Sequence, residues 1–451
     1  MSKKKILINA FNVNCIGHIN HGLWTHPRDN STTFNTLEYW TELAQLLERG
    51  LFDGLFIADI VGVYDVYQQS VDMPLKEAIQ LPVNDPLLLV SAMAAVTKNL
   101  GFGLTANLTY ETPYLFARRM STLDHLTRGR VGWNIVTGYL DSAAKAMGLT
   151  EQVEHDRRYD QADEYLQVLY KLWEGSWEND AVLNDPAQRI YAQPDKVQPI
   201  AHEGPYYRAH AIHMSAPSPQ RTPVLFQAGT SARGMQFAGQ HGEGIFIGAS
   251  SPEAARETSR KLRAAAVAAG RRADDVKIYV GLAVVVGHTE AEAREKYADY
   301  RAYASAEGGL AHFAASTGVD FAQYDLDEPI RFGQSNAIQS AAQIAQQSGW
   351  TTRRKLLEQF TLGSRYPTLV GDPIQVADAL ERWVDVGEID GFNLTRLVVP
   401  ETWEDFATLV VPELQNRGRY RTSYAGGTLR QQLFGAGDRL PQRHPAARWR
   451  R

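Results

Sequence analysis

The stretch "NAFNVNCIGHINHGLWTHP", Asn9 to Pro27, carries the chain's one cysteine and three of its twelve histidines. Cys15, His18, His21 and His26 admit three chemistries: metal ligation, a thiol–imidazole nucleophile pair, or soft polar groups lining a pocket. The C-x2-H-x2-H-x4-H spacing lacks the paired ligands of a zinc set, and no H-E-x-x-H pattern occurs. A Cys–His nucleophile needs a third group to orient the imidazole, and spacing alone assigns none. Ordinary polar loop residues are the plain alternative.

In "FQAGTSARGMQFAGQHG" an apolar run enters Gly229-Thr230-Ser231, and a helix is expected from about Ala232. Small residues there expose backbone N–H groups at a helix N-terminus, and the hydroxyls add donors, which suits a single phosphate. It is neither a Walker loop nor a G-x-G-x-x-G turn; an ordinary cap by Thr230 or Ser231 reads equally well. "EHDRRYDQADEYLQVLYKLWEG" is an amphipathic helix whose first turn brings His155, Arg158 and Tyr159, a group able to hold the far side of the same phosphate. "FIADIVGVYDVY" ends a strand at Asp59, with Tyr64 and Tyr67 on the loop behind, and "WNIVTGYL" does the same with Asn134, Thr137 and Tyr139. Asp59 and Asn134 have the groups to hydrogen-bond a planar heterocycle.

These residues need a scaffold that gathers strand ends. Eight short apolar runs read as strands: 6–11, 54–59, 101–108, 131–137, 223–229, 244–248, 277–287 and 391–398. Between them lie helical patterns such as "LEYWTELAQLLERG", "DPLLLVSAMAAVTKNL" and "PYLFARRMSTLDHLTRG", apolar at i, i+3, i+4 and i+7. Strands apolar on both faces, each followed by helix, predict a (β/α)₈ TIM barrel over 1–451, with insertions near 60–85, 138–153, 175–222 and 305–366. Sites in such barrels lie on the C-terminal face, so Asn12, Cys15 and His18 are expected at the mouth. A doubly wound sheet is disfavoured because no strand opens into a Gly-rich dinucleotide turn.

The chain is 451 residues, 44% hydrophobic and 22% charged, a globular composition. Its apolar runs fall far short of the roughly 18 residues of a membrane span, and "MSKKKILINAF" reads as a first strand, not a signal peptide. A lone cysteine fits a reducing cytoplasm. A net charge of −5 argues against a nucleic-acid partner, and the basic end "QRHPAARWRR" is expected to be a solvated terminus.

The segments "GLWTHP", "YWTELAQLLERGLFDGLFIAD", "PVNDPLLLVSAMAAVT", "ARRMSTLDHLTRGRVGWNIVT", "EHDRRYDQADEYLQVLYKLWEGSW", "PSPQRTPVLFQAG" and "DGFN" resemble the bacterial-luciferase-like superfamily. Within it they are similar, end to end, to the nitrilotriacetate monooxygenase group of two-component flavin monooxygenases. The subgroup of long-chain alkane and dimethyl sulfide monooxygenases is nearest, and riboflavin lyases are related. The resemblance implies reduced FMN (FMNH₂) from a separate NAD(P)H:flavin reductase, O₂ as co-substrate, and a C4a-hydroperoxyflavin that oxygenates an alkane or organosulfur compound. It implies a phosphate site at Tyr159, Gly229, Thr230 and Ser231 with His155 and Arg158 beside it, and flavin contacts at Asp59, Thr105, Asn134 and Thr137. It implies a substrate pocket of Cys15, His18, Tyr64, Gln80 and His312, no metal, and a homodimer or homotetramer. After strand 4 this chain has Gly138-Tyr139 where the alkane enzyme has a Ser-His pair; "YLDSAA" is nearer to the sulfide enzyme.

On this reading Cys15 and the histidines belong to a pocket, with His18 or His312 titrating near neutrality to manage a proton. Tyr64, Tyr139 and Phe313 are expected as walls. The insertion at 305–366, with "EGGLAHF", "ASTG" and "GQSN", is expected to be a lid that brings in His312 on closure. The competing functions are a flavin-degrading lyase, a deazaflavin-dependent oxidoreductase, a flavin-binding protein without turnover and a metal-dependent hydrolase.

Overall fold

The computed structural model describes residues 4–332, 345–346, 349–363 and 366–451; the "GQSN" of the expected lid, 333–336, lies outside them. Eight parallel strands close a barrel: β1 (Leu7–Val13), β2 (Gly54–Ala58), β3 (Gly101–Asn107), β4 (Val131–Val136), β5 (Val224–Gln227), β6 (Gly244–Ile247), β7 (Lys277–Val286) and β8 (Gly391–Thr395). Each pairs with the next and β8 returns to β1, with Asn9 opposite Asn393. A short strand, Thr368–Gly371, extends the edge of β7. All eight expected strands are present.

The barrel interior is filled with aromatic rings. Phe56 meets Phe246 at 4.2 Å and Phe226 at 5.8 Å between centroids, and Phe246 meets Tyr279 at 5.4 Å. Glycines on neighbouring strands make room: a β-carbon on Gly103 would lie 2.5 Å from the Phe56 ring, and one on Gly132 2.5 Å from Phe226. Phe11, Phe56 and Phe246 thereby form the floor of the cavity at the barrel mouth.

The outer helices include α1 (Leu37–Arg49), α2 (Val90–Ala95), α3 (Pro113–Leu126), α4 (His155–Tyr170), α5 (Ala232–His241), α6 (Pro252–Ala268), α7 (Glu290–Tyr303), α8 (Ala306–Thr317) and α9 (Pro373–Gly387). In α1 the expected stripe of Tyr39, Trp40, Leu43, Ala44 and Leu47 is buried, and Thr36 caps its start. α2 is much shorter than the apolar run at 85–100 predicts. The buried Arg130 guanidinium takes the carbonyls of Ala94, Thr97 and Leu100 (2.8–3.2 Å), which stops the helix after Ala95.

The segment 175–222 lies between α4 and β5 and carries two hairpins, Val182–Asp185 with Ile190–Ala192 and Ile200–Glu203 with Arg208–Ala211. None of its residues reaches the cavity at the mouth. The basic C-terminus is docked, contrary to expectation. The buried Glu174 carboxylate is paired with Arg439 and accepts from Arg450 Nε at 2.9 Å; Arg443 pairs with Asp275, and buried His444 donates to the His241 carbonyl at 3.0 Å. A charge buried at Glu174 requires cations, and the terminal arginines provide them. Among the described residues no helix is long and apolar enough to cross a membrane.

Candidate active site

A cavity of about 310 Å³ opens at the C-terminal ends of the strands. Its first end is built by β5 and α5. Gly229-Thr230-Ser231 joins them, and Ser231 is the N-cap: its Oγ accepts the Gly234 N–H at 3.0 Å. Opposite stands the first turn of α4, where Glu154 caps the helix and His155, Arg158 and Tyr159 face the cavity. Gln227 Nε2 lies 3.5 Å from Tyr159 Oη, and the Arg233 guanidinium covers the Tyr159 ring at 5.5 Å while pairing with Asp160 and Asp163. Burial raises the Tyr159 phenol above its ordinary range against the pull of Arg158, so the hydroxyl remains a donor. Arg158 is buried and donates to the Val153 carbonyl at 2.8 Å.

The middle of the cavity is walled by strand ends. Asn134 donates to Thr105 Oγ1 at 2.9 Å across the β3–β4 pair. Asn134 Oδ1 and Gln227 Oε1 are buried and have no hydrogen-bond partner among the described residues. Such orphaned acceptors are rare and invite a donor. Asp59 follows β2; burial first, and Asp85 second, push its carboxyl up to about 7. Thr137 follows β4, and its carbonyl accepts from Thr109 at 2.8 Å.

The far end holds His18, Tyr64, Gln80, Tyr139 and His312. His18 meets Phe11 edge-on at 4.8 Å. Tyr64 Oη donates to Gln80 Oε1 at 3.1 Å and lies 3.2 Å from Tyr139 Oη; Gln80 is held at φ +49°. The His312 imidazole stacks on Tyr64 with 5.0 Å between centroids, and its Nδ1 is 3.0 Å from His21 Nε2. His312 already lines the cavity here, on an α8 buried from Gly308 to Thr317.

Cys15 does not line this cavity. It is fully buried behind the β1 loop, its Sγ donates to the Gly17 carbonyl at 3.2 Å, and burial pushes its thiol up to about 12, so the thiol is held neutral. The opening stretch is thus divided among three places: Cys15 packs beneath, His18 faces the cavity, and His26 pairs with Asp299 at 3.0 Å. Asn12 is likewise off the wall, its Oδ1 turned to the Val13 N–H. Phe313 stacks on Phe321, and Tyr67 donates to Glu307 at 2.7 Å, so neither is a cavity wall. The sequence reading does not reach Gln227, Asn107, Phe246 or Tyr366, all of which line the cavity. The strand-end rule used for Asp59 and Asn134 also points to Gln227 and Asn107. Also missed is Arg396, buried after β8, whose guanidinium donates to the carbonyls of Cys15 (2.8 Å) and Ile16 and to Tyr39 Oη (3.3 Å), fixing the loop that carries His18.

A flavin mononucleotide fits these groups. The backbone at Gly229 leaves a cradle that a β-carbon would fill, coming 2.6 Å from Tyr159 Oη. The unpartnered Asn134 and Gln227 oxygens belong to residues that line the same cavity. Residues 19–388 match the family model described as luciferase-like monooxygenase. The chain belongs to the luciferase-like monooxygenases. It is 49% identical over 453 residues to a dimethyl-sulfide monooxygenase of Hyphomicrobium sulfonivorans, covering 99% of this chain and 94% of that one. It is 50% identical over 449 residues to a long-chain alkane monooxygenase of Geobacillus thermodenitrificans, covering 99% and 98%. A crystal structure of a riboflavin lyase with modified FMN and riboflavin superposes with a TM-score of 0.94 at 39% identity, covering 99% of this chain and all of that one. This luciferase-like monooxygenase is therefore a flavin-dependent enzyme, and its relatives act on alkanes and organosulfur compounds.

Proposed function

We propose that the protein is the oxygenating half of a two-component system. It takes FMNH₂ from a separate NAD(P)H:flavin reductase, uses O₂ as co-substrate, and places one oxygen atom on a small or apolar organic substrate, an organosulfur compound or a long-chain alkane. The observation that carries this is a single cavity joining a one-phosphate cradle to a chamber with two imidazoles. The flavin, when bound, supplies the electrons and activates O₂. The backbone of 229–231 with Tyr159, Arg158 and His155 would hold its phosphate; Thr105, Asn134, Thr137, Gln227 and Asp59 would orient its ring and ribityl chain.

The chain's own contribution beyond binding is dryness and proton control. Phe11, Phe56 and Phe246 exclude water from the inner wall, which protects reactive oxygen species from wasteful release. His18 and His312 hold or move a proton at a ring nitrogen, a task worth about 10²–10⁴-fold in rate. Tyr139, pressed against Tyr64 Oη, occupies space in the chamber; this favours a compact sulfide over a long chain. The likeness to the riboflavin lyase supports a second reading, in which a flavin is itself the substrate of the same chamber.

The purified chain with NADH and oxidised FMN is expected to consume no NADH, and adding a generic flavin reductase is expected to start product formation from a panel of dialkyl sulfides and n-alkanes. Steady NADH oxidation by the chain alone contradicts the two-component reading. Cleavage of added riboflavin, seen by mass spectrometry while the panel stays untouched, selects the second one.

A further inference from the structure

His21 is not among the residues that line the cavity, yet it touches one that does. It lies in the loop after β1, almost fully buried, with Nε2 3.0 Å from Nδ1 of His312 and the two rings edge to face at 77°. Its backbone is pinned, because its carbonyl accepts the Ser305 N–H at 2.8 Å and Gly308 of α8 packs under its β-carbon. On the other side the His312 ring stacks on Tyr64, so the plane of the reacting imidazole is set from both directions.

We propose that His21 is a positioning residue: its Nε2–H donates to His312 Nδ1 and holds His312 in the tautomer that carries its hydrogen on Nε2. The assignment follows from what surrounds the pair. A neutral imidazole has one N–H and one lone pair, so the shared hydrogen belongs to one ring and fixes the other tautomer in turn. If His312 were the donor, His21 would have to carry its hydrogen on Nδ1, which is buried and has no partner among the described residues. An orphaned buried N–H is costlier than an orphaned lone pair, so the hydrogen sits on His21 Nε2. His21 remains neutral, since burial, joined by the nearby Arg396 charge, pulls it down to about 3. His312, on the cavity wall, is therefore held in one tautomer by a neighbour outside the wall.

The role in turnover rests on the proposed function; the tautomer does not, and the experiment separates them. Ring-¹⁵N spectra of the full chain, flavin-free and FMN-bound, report the His312 tautomer, with His312→Gln identifying its signals. The expected result is Nε2–H in the wild type and in His21→Gln, whose amide can still donate, and a shift toward Nδ1–H or mixed signals in His21→Leu. In the reductase-coupled assay, product per O₂ consumed should fall at least about tenfold in His21→Leu and recover largely in His21→Gln, as loss of tautomer control does at other imidazoles. Nδ1–H in the wild type overturns the assignment without any variant, and an unchanged His312 signal in a folded His21→Leu overturns it as well. The expected tautomers with no product from any protein, wild type included, uphold the positioning of His312 and refute the proposed function alone.

Discussion

The Tyr159 phenol closes directly over the backbone of Gly229: a β-carbon there would lie 2.6 Å from Tyr159 Oη and would also strike the Gln227 amide. The cradle is thus defined by a missing side chain. Gly229→Ala is expected to weaken FMN binding about tenfold or more, since overpacking of this kind costs about 1–3 kcal/mol. Riboflavin, which has no phosphate to seat, should lose less. Fluorescence titration of both ligands checks this, along with Ser231→Gly: glycine nearly preserves the cap but removes the hydroxyl, so a lowered FMN-to-riboflavin preference would be due to the lost donor.

Cys15 is predicted to be chemically silent. With the thiol buried and raised to about 12, iodoacetamide at pH 8 should leave the native chain unmodified and label it only after denaturation, as read by intact-mass spectrometry. Cys15→Ala should keep FMN affinity within about twofold, since a shift of that size is under half a kcal/mol. Rapid native alkylation with loss of activity would restore the nucleophile reading.

Glu174 anchors the C-terminus. Burial works against its ionisation, but Arg439 and Arg450 outweigh burial and hold the carboxyl below its ordinary value. A depressed folded-state pKa gives stability that is present above the unfolded value near 4.5 and is lost as pH falls through the folded one. Denaturant titrations should therefore show acid destabilisation that is missing in Glu174→Gln. At neutral pH that variant should be less stable by about 3–5 kcal/mol, the usual cost of breaking a buried pair.

Asp59 behaves in the opposite sense. Its carboxyl is raised from 3.8 to about 7, so the folded chain binds this proton more tightly than the unfolded one. The associated stability is complete below about 4 and is lost as pH rises toward 7. For the flavin-free protein, stability should decline across that window, and Asp59→Asn should flatten the decline. An identical pH slope in the variant would show that Asp59 titrates normally.

How much of this was legible in the sequence follows from which forces act locally. The eight strands were visible because a parallel sheet covered on both faces needs continuous apolar runs, and Asp59, Asn134 and Ser231 because polar residues at strand ends face the mouth. Cys15 was misplaced: the loop after β1 turns at once under the guanidinium of Arg396, 381 residues away in sequence. The docked tail was missed for the same reason, since a basic run looks solvated until the buried Glu174 that needs it is known. The early end of α2 likewise depends on Arg130, a residue no helical pattern contains.

The most direct test of the whole account is oxygen transfer itself. The chain, FMN, NADH and an independent flavin reductase are combined with a sulfide or alkane under ¹⁸O₂, and the product is weighed by mass spectrometry. The account predicts one ¹⁸O atom per product molecule, only when chain and reductase are both present, with His18→Ala consuming O₂ but releasing mainly hydrogen peroxide. Product carrying oxygen from water, or labelled product formed equally well without the chain, would contradict it.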